Sequence, residues 1–198
     1  MKKIIISFLF LTTSFSSFAQ ELIIKDKGSY RKNFNEGNLS EGDLEYGVAL
    51  KYYLYAYKYD STNANINFKI GFCYLKNATQ KHLAENYLEK AVLNVTKMYK
   101  DDDPGYKKAP IQSYFYLGQS YHFDGKLDEA SKMYATYESY VSPKDKVEHA
   151  IIQHFKRQVL NAQQILAAPL NVTIKNLGDS INTEYPEYSP VITADEQV

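Results

Sequence analysis

Four histidines, a single cysteine and a run of three aspartates are the residues of this 198-residue chain whose types could carry metal or nucleophilic chemistry. His149 and His154 stand five apart on one helical segment, whereas a zinc-binding helix needs its two histidines at i and i+4 to bring both rings to one face. They read as surface or capping histidines. His82 and His122 have no acidic or cysteine neighbour at ligand spacing. Cys73 has no partner, so no internal disulfide can form, and its expected place is a small buried apolar position. Asp101-Asp102-Asp103 invites a calcium reading. The alternating spacing and terminal glutamate of an EF-hand loop are missing, however, and Pro104-Gly105 makes a solvated turn the better reading. Neither a glycine-rich phosphate loop nor a nucleophile elbow occurs. The Asn-x-Thr triplets at Asn77, Asn94 and Asn171 matter only in a glycosylating secretory pathway, and their helical or linker placement marks them as chance matches. The expectation is no catalytic residue, no metal and no cofactor.

The elements that carry these residues repeat. Tyr114, Leu117, Gly118, Tyr121, Gly125, Ala130 and Tyr134 are followed by Pro143; Ile70, Gly71, Tyr74, Ala84, Leu88 and Ala91 form a second unit; Gly42, Ala49, Tyr53 and Ala56 form an earlier one. Gly37 and Gly71 are 34 residues apart, while Gly71 and Gly118 are 47 apart, which leaves 13 residues inserted between the last two units. These units resemble tetratricopeptide (TPR) repeats, whose period is about 34 residues. The physical logic is helix-on-helix packing: glycine and alanine let paired helices approach, and Tyr and Leu fill the space beside them. That logic also accounts for a chain with 19 tyrosines and no tryptophan. Tyr53, Tyr55, Tyr57 and Tyr59 alternate as a strand would, but Leu50, Tyr53, Leu54 and Tyr57 also make an i, i+3, i+4, i+7 stripe, and the repeat context decides for helix. Pro110 is expected to open the third repeat, Ser142-Pro143 to cap and start a last helix, and Val147, Ile151, Phe155, Val159 and Ala162 to mark its packed face. The fold expected is all-α: a TPR superhelix of three repeats over residues 20–143 and a capping helix over 144–168.

The TPR resemblance implies a groove lined by first-helix side chains. Its positions fall on Asn65, Phe68, Phe72, Leu75 and Lys76 in the second repeat and on Gln112, Phe115, Gln119, His122 and Phe123 in the third. Aromatic anchors beside amide and cationic groups suit an extended or helical peptide. Packing of several of these aromatics between repeats is the competing reading. The clamp with which chaperone-type TPRs hold a C-terminal carboxylate is not matched: Phe34, Lys69, Gln112 and Tyr116 fill most of its places, and only Asn38 fits.

Compartment and partners follow from the ends and the charge. Lys2 and Lys3, the apolar run 4–10 and Ser17-Phe18-Ala19 read as a signal peptide, residues 1–19. The residue after Ala19 is Gln20 rather than cysteine, so no direct lipid anchor is expected. Without the two lysines, 21 basic residues stand against 23 acidic ones, which argues against nucleic acid as a partner. From residue 169 onward the character changes: 171–174 alternates like a strand, Gly178-Asp179 signals a turn, and 187–191 leads to another turn near Asp195. The order of signal peptide, TPR helices, Asn-Leu-Gly linker and Tyr188-Ser189-Pro190 with Ala194-Asp195-Glu196 resembles the N-terminal part of Bacteroidetes envelope proteins. In these, TPR repeats precede a WD40-like (PD40) β-propeller and an OmpA-like peptidoglycan-binding domain, and some members are similar to the peptidoglycan-linked component of the type IX secretion system. The resemblance implies that 169–198 is a linker and the truncated start of a propeller. It implies a periplasmic, outer-membrane-associated scaffold that binds a protein or peptide of the cell envelope, and that would reach peptidoglycan only through a domain this chain does not contain. A glycan-binding helical uptake protein and a free-standing periplasmic TPR adaptor are the alternatives.

Overall fold

Three of the helices begin where a short polar side chain takes up a free backbone N–H. Asp26 accepts from Ser29 N to start α1 (Lys27–Gly42), Asn63 accepts from Asn65 N and Ile66 N to start α3 (Ala64–Lys76), and Asp145 accepts from Glu148 N at 3.0 Å to start α7 (Lys146–Ala167). The other helices are α2 (Tyr46–Tyr59), α4 (Ala84–Ala91, entered through a 3-10 turn at Lys81–Leu83), α5 (Gln112–Phe123) and α6 (Leu127–Tyr140). Two short strands, β1 (Val95–Thr96) and β2 (Ala109–Pro110), pair in parallel, Val95 opposite Ala109 and Thr96 opposite Pro110. The computed structural model describes residues 26–169. The signal-peptide reading of 1–19 and the strand and turn readings of 171–174, 178–179, 187–191 and Asp195 lie outside the described residues. One packed unit runs to Gln163; a second unit begins at Gln164, and its described part is the end of α7 and the two residues after it.

The helices pair in order, α1 with α2, α3 with α4 and α5 with α6, and each pair packs on the next. The close approach inside each pair is made at one glycine. A Cβ on Gly37 would stand 2.4 Å from the Tyr53 ring, one on Gly71 2.5 Å from Leu88 Cγ, and one on Gly118 2.7 Å from the Tyr134 ring. These are the repeat positions read in the sequence, and Ala49, Ala84 and Ala130 beside them are fully buried. The tyrosine alternation resolves as helix: Leu50, Tyr53 and Ala56 of α2 are buried while Tyr55 and Tyr59 are exposed. Helix α3 is central and buried from Ala64 to Gly71, with Cys73 in the same core. Asn67 of that stretch bonds the carbonyls of Ser61 and Asn63 through its amide.

Four local expectations are corrected. Gly42 is the last residue of α1, and a Cβ there would meet nothing, so the close approach of the first pair is made at Gly37 instead; the left-handed turn residue is Leu44, φ 63°, matching Gly125, φ 74°, in the turn between α5 and α6. The last helix starts at Lys146 and is capped by Asp145 rather than by Ser142, so Ser142-Pro143 belongs to the preceding turn. Pro110 sits in β2, and α5 opens two residues later. The packed stripe of α7 is Ile152, Phe155, Val159 and Ala162, whereas Val147 and Ile151 face outward. The Leu44 conformation has a direct consequence. Its side chain is 70% exposed, so Leu44→Gly removes left-handed strain and little contact. A gain of about 0.5–1 kcal/mol is expected, read as a higher melting temperature; a lower one would show that the Leu44 side chain stabilises the turn.

Candidate partner-binding groove

Because the A-type helices α1, α3 and α5 lie side by side, the groove positions of the second and third repeats come together in two separate places. At the C-terminal ends of α3 and α5, Leu75, Gln119, His122 and Phe123 line one open cavity of about 310 Å³ with Lys81, Tyr134 and Phe155. Phe123 is 57% exposed, with the Lys81 ammonium 5.6 Å from its ring centroid. Burial holds the His122 imidazole below its ordinary range, so it is neutral at pH 7 and offers one donor and one acceptor. Tyr134 is fully buried, and its hydroxyl has no hydrogen-bond partner among the described residues. Next to this cavity, Lys76 is exposed and its ammonium lies 5.1 Å from the Phe72 ring centroid.

The first-repeat counterparts are used differently. Tyr53 is to Gly37 as Tyr134 is to Gly118, and the Tyr53 hydroxyl lies 2.7 Å from Asn38 Oδ1 and 2.6 Å from Glu41 Oε2. Asn38 and Glu41 occupy the places that Gln119 and His122 hold in the third repeat. Burial, then the Glu41 carboxylate, raises the Tyr53 pKa and keeps it protonated.

Three groove positions are covered. Phe115 is 9% exposed and sits among Tyr116, Tyr134, Tyr137 and Phe155, with the Phe155 ring of the capping helix edge-on at 5.0 Å. Phe68 is 8% exposed and Asn65 fully buried, both beneath the segment inserted between α4 and α5. Tyr99 packs edge-on against Phe68 at 6.0 Å and donates its hydroxyl to Asn65 Oδ1, while Asn65 Nδ2 donates to the Tyr106 carbonyl at 3.2 Å. Gln112 is exposed at the start of α5. The structure therefore brings Leu75, Gln119, His122 and Phe123 together, leaves Phe72 and Lys76 beside them, and places Asn65, Phe68 and Phe115 inside the fold.

The aspartate run makes more contacts than a solvated turn requires. Asp101 Oδ1 accepts from Lys69 Nζ at 2.6 Å, and its carbonyl accepts from Asn38 Nδ2 at 3.1 Å. Lys69 is 1% exposed, also faces Glu41 at 3.4 Å, and lies over the rings of Phe34 and Tyr53. Lys107 of the same insert pairs with Asp60 at 2.8 Å. The chemistry-bearing histidines of α7 have structural partners: His149 lies 3.2 Å from the Ser142 carbonyl and 3.6 Å from Glu138, and His154 lies 3.1 Å from Gln158. Among the described residues no group of three or more His, Cys, Asp and Glu side chains is placed to hold a metal ion, and no helix is long and apolar enough to cross a membrane.

No protein-family model matches the chain, and no curated protein matches it. Among solved structures it is similar to the first TPR of Spaghetti (RPAP3) bound to the HSP90 peptide SRMEEVD, with 19% sequence identity and a TM-score of 0.50, over 74% of this chain and 99% of that one. Together with the stacked helix pairs and their glycine contacts, this likeness shows the fold to be an all-α TPR superhelix.

Proposed function

We propose that the chain is a non-catalytic protein-interaction scaffold whose open half-groove, at Phe72, Leu75, Lys76, Gln119, His122 and Phe123, takes a protein or peptide segment. The observation that carries this reading is the 310 Å³ cavity at the ends of α3 and α5. It joins an exposed aromatic, an aliphatic wall, a neutral imidazole and an amide. Such a cavity takes an apolar anchor side chain, with the Gln119 amide and the His122 imidazole beside it to bond the backbone of the bound segment. The likeness to a TPR domain solved with a bound peptide supports the same use of the fold. Selection of a displayed peptide library on the intact chain is expected to converge on one motif. The Leu75→Ala/Phe123→Ala variant should lose at least about tenfold in affinity for it while keeping the helical circular dichroism of the unaltered chain. Unchanged affinity in that variant refutes the assignment.

The finer placement rests on sequence order. Lys2, Lys3, the apolar run and Ser17-Phe18-Ala19 support export to the periplasm with outer-membrane association. The Tyr188-Ser189-Pro190 segment supports a place in a longer, peptidoglycan-linked OmpA-family protein of the type IX secretion kind. Propeller repeats encoded after codon 198 are the expected finding; an immediate stop codon would favour a free adaptor.

A further inference from the structure

The segment between α4 and α5 leaves the stack and comes back to it at the same place. The β1–β2 pair closes its base, with Ala109 N donating to the Asn94 carbonyl at 2.9 Å and Ile111 N donating to the Thr96 carbonyl at 3.2 Å. Residues 97–108 between these strands form a loop with its ends together. Most of it faces water: Met98 is 81% exposed, and Lys97, Lys100, Asp102, Asp103, Lys107 and Lys108 are exposed too. What it sends inward is specific. The Tyr99 ring enters against Phe68 and its hydroxyl reaches Asn65; at the rim the Asp101 carboxylate, 59% exposed, reaches Lys69 and its carbonyl meets Asn38.

The receiving side chains are built for an occupant. Asn65 is fully buried, and its carbonyl and amide both bond the loop. Lys69 is 1% exposed, and its shorter ion pair is the one to Asp101. Buried amides and ammonium groups keep their stability only while partnered, so this face is complete with an acidic, aromatic-bearing segment on it and deficient without one.

We infer that the loop 97–108 is an internal ligand of the groove, and that the Asn38, Asn65 and Lys69 face recognises an extended segment carrying an aromatic residue two positions before a carboxylate. Tyr99 and Asp101 supply that pattern in cis, and an acidic segment of a partner supplies it in trans when the loop lifts. The inference rests on the reading of the chain as a peptide-binding scaffold, but it uses residues outside the open half-groove, so loss of binding at Phe123 and loss of binding at Lys69 are separable results.

The test uses the full chain with Tyr99→Ala/Asp101→Ala, which frees the loop without removing it, and a labelled synthetic peptide with the sequence of residues 97–108. The variant is expected to bind the peptide at least about tenfold more tightly than the unaltered chain, whose site is already filled. Adding Lys69→Ala, or replacing the peptide's first Tyr and first Asp by Ala, should abolish that gain. Equal affinity of variant and unaltered chain, or a folded variant that ignores the peptide, overturns the proposal. Hydrogen exchange on the unaltered chain decides the matter should the variant fail to fold. Loop amides that exchange while α3 and α5 stay protected support the proposal; loop amides that exchange only together with α3 make the loop a fixed part of the core and overturn it. A domain-swapped dimer of the variant would assign the occupant to a second copy and overturn the partner reading.

Discussion

Phe115→Ala is expected to lower stability by about 3–5 kcal/mol, the range for truncating a buried aromatic, and to do so before any partner is added. The ring is 9% exposed and held between α6 and the capping helix by Tyr134, Tyr137 and Phe155. Removing it opens a cavity where the third repeat meets α7 and loosens the contact that seats Phe155. Phe123→Ala makes the contrast: at 57% exposure, its loss should move stability by no more than about 0.5 kcal/mol. Urea unfolding of both variants distinguishes a packing residue from a contact residue. An F115A chain that unfolds like the unaltered one and still loses its partner would return Phe115 to the groove.

Gly71→Val should be of similar severity, about 3 kcal/mol. A Cβ there would stand 2.5 Å from Leu88 Cγ, 2.8 Å from its Cδ2 and 3.3 Å from the Ala84 carbonyl oxygen. Leu88 is itself fully buried and has no space to swing into. The helix-propensity gain from replacing glycine, about 1 kcal/mol for alanine and less for a β-branched residue, does not offset such overpacking. The identity of the clash can be checked by a double-mutant cycle: Leu88→Ala costs stability alone, but it gives back space to the valine, so the two effects should fall short of their sum by at least about 1 kcal/mol. Additivity within about 0.5 kcal/mol would mean that α3 and α4 do not touch at this position.

The helix pairs were legible because their contacts repeat at fixed spacing. Gly71 with Leu88 and Gly118 with Tyr134 meet through local geometry that the 34-residue period encodes, and Tyr53 lies in the same register. The last helix was legible as a helix, and Phe155, Val159 and Ala162 of its expected stripe pack as read; its first turns were not legible, because Ile151-Ile152 puts two apolar residues side by side and only the packing decides for Ile152. Gly42 was read as a position of the first repeat, yet the glycine that meets α2 is Gly37, and the backbone reverses at Leu44, which no composition signal marks. For the groove, a repeat motif specifies which side of a helix a residue occupies and nothing about what lies over it. The loop that covers Asn65 and Phe68 binds Asn38 from 63 residues away and Lys69 from 32. No periodicity links such pairs; the only sequence sign was a lysine and an asparagine at groove positions together with an inserted acidic run.

Cys73 lies in α3, 1% exposed in the core that joins the first two repeats. Burial, reinforced by the Glu41 carboxylate, pushes its thiol up to about 12. Since the thiolate is the reactive form, the packed chain gives an alkylating reagent almost nothing to attack, and modification has to wait until α3 parts from its neighbours. The lone cysteine is therefore a built-in clock: under conditions where reaction is faster than reclosing, its labelling rate counts the openings of the central helix.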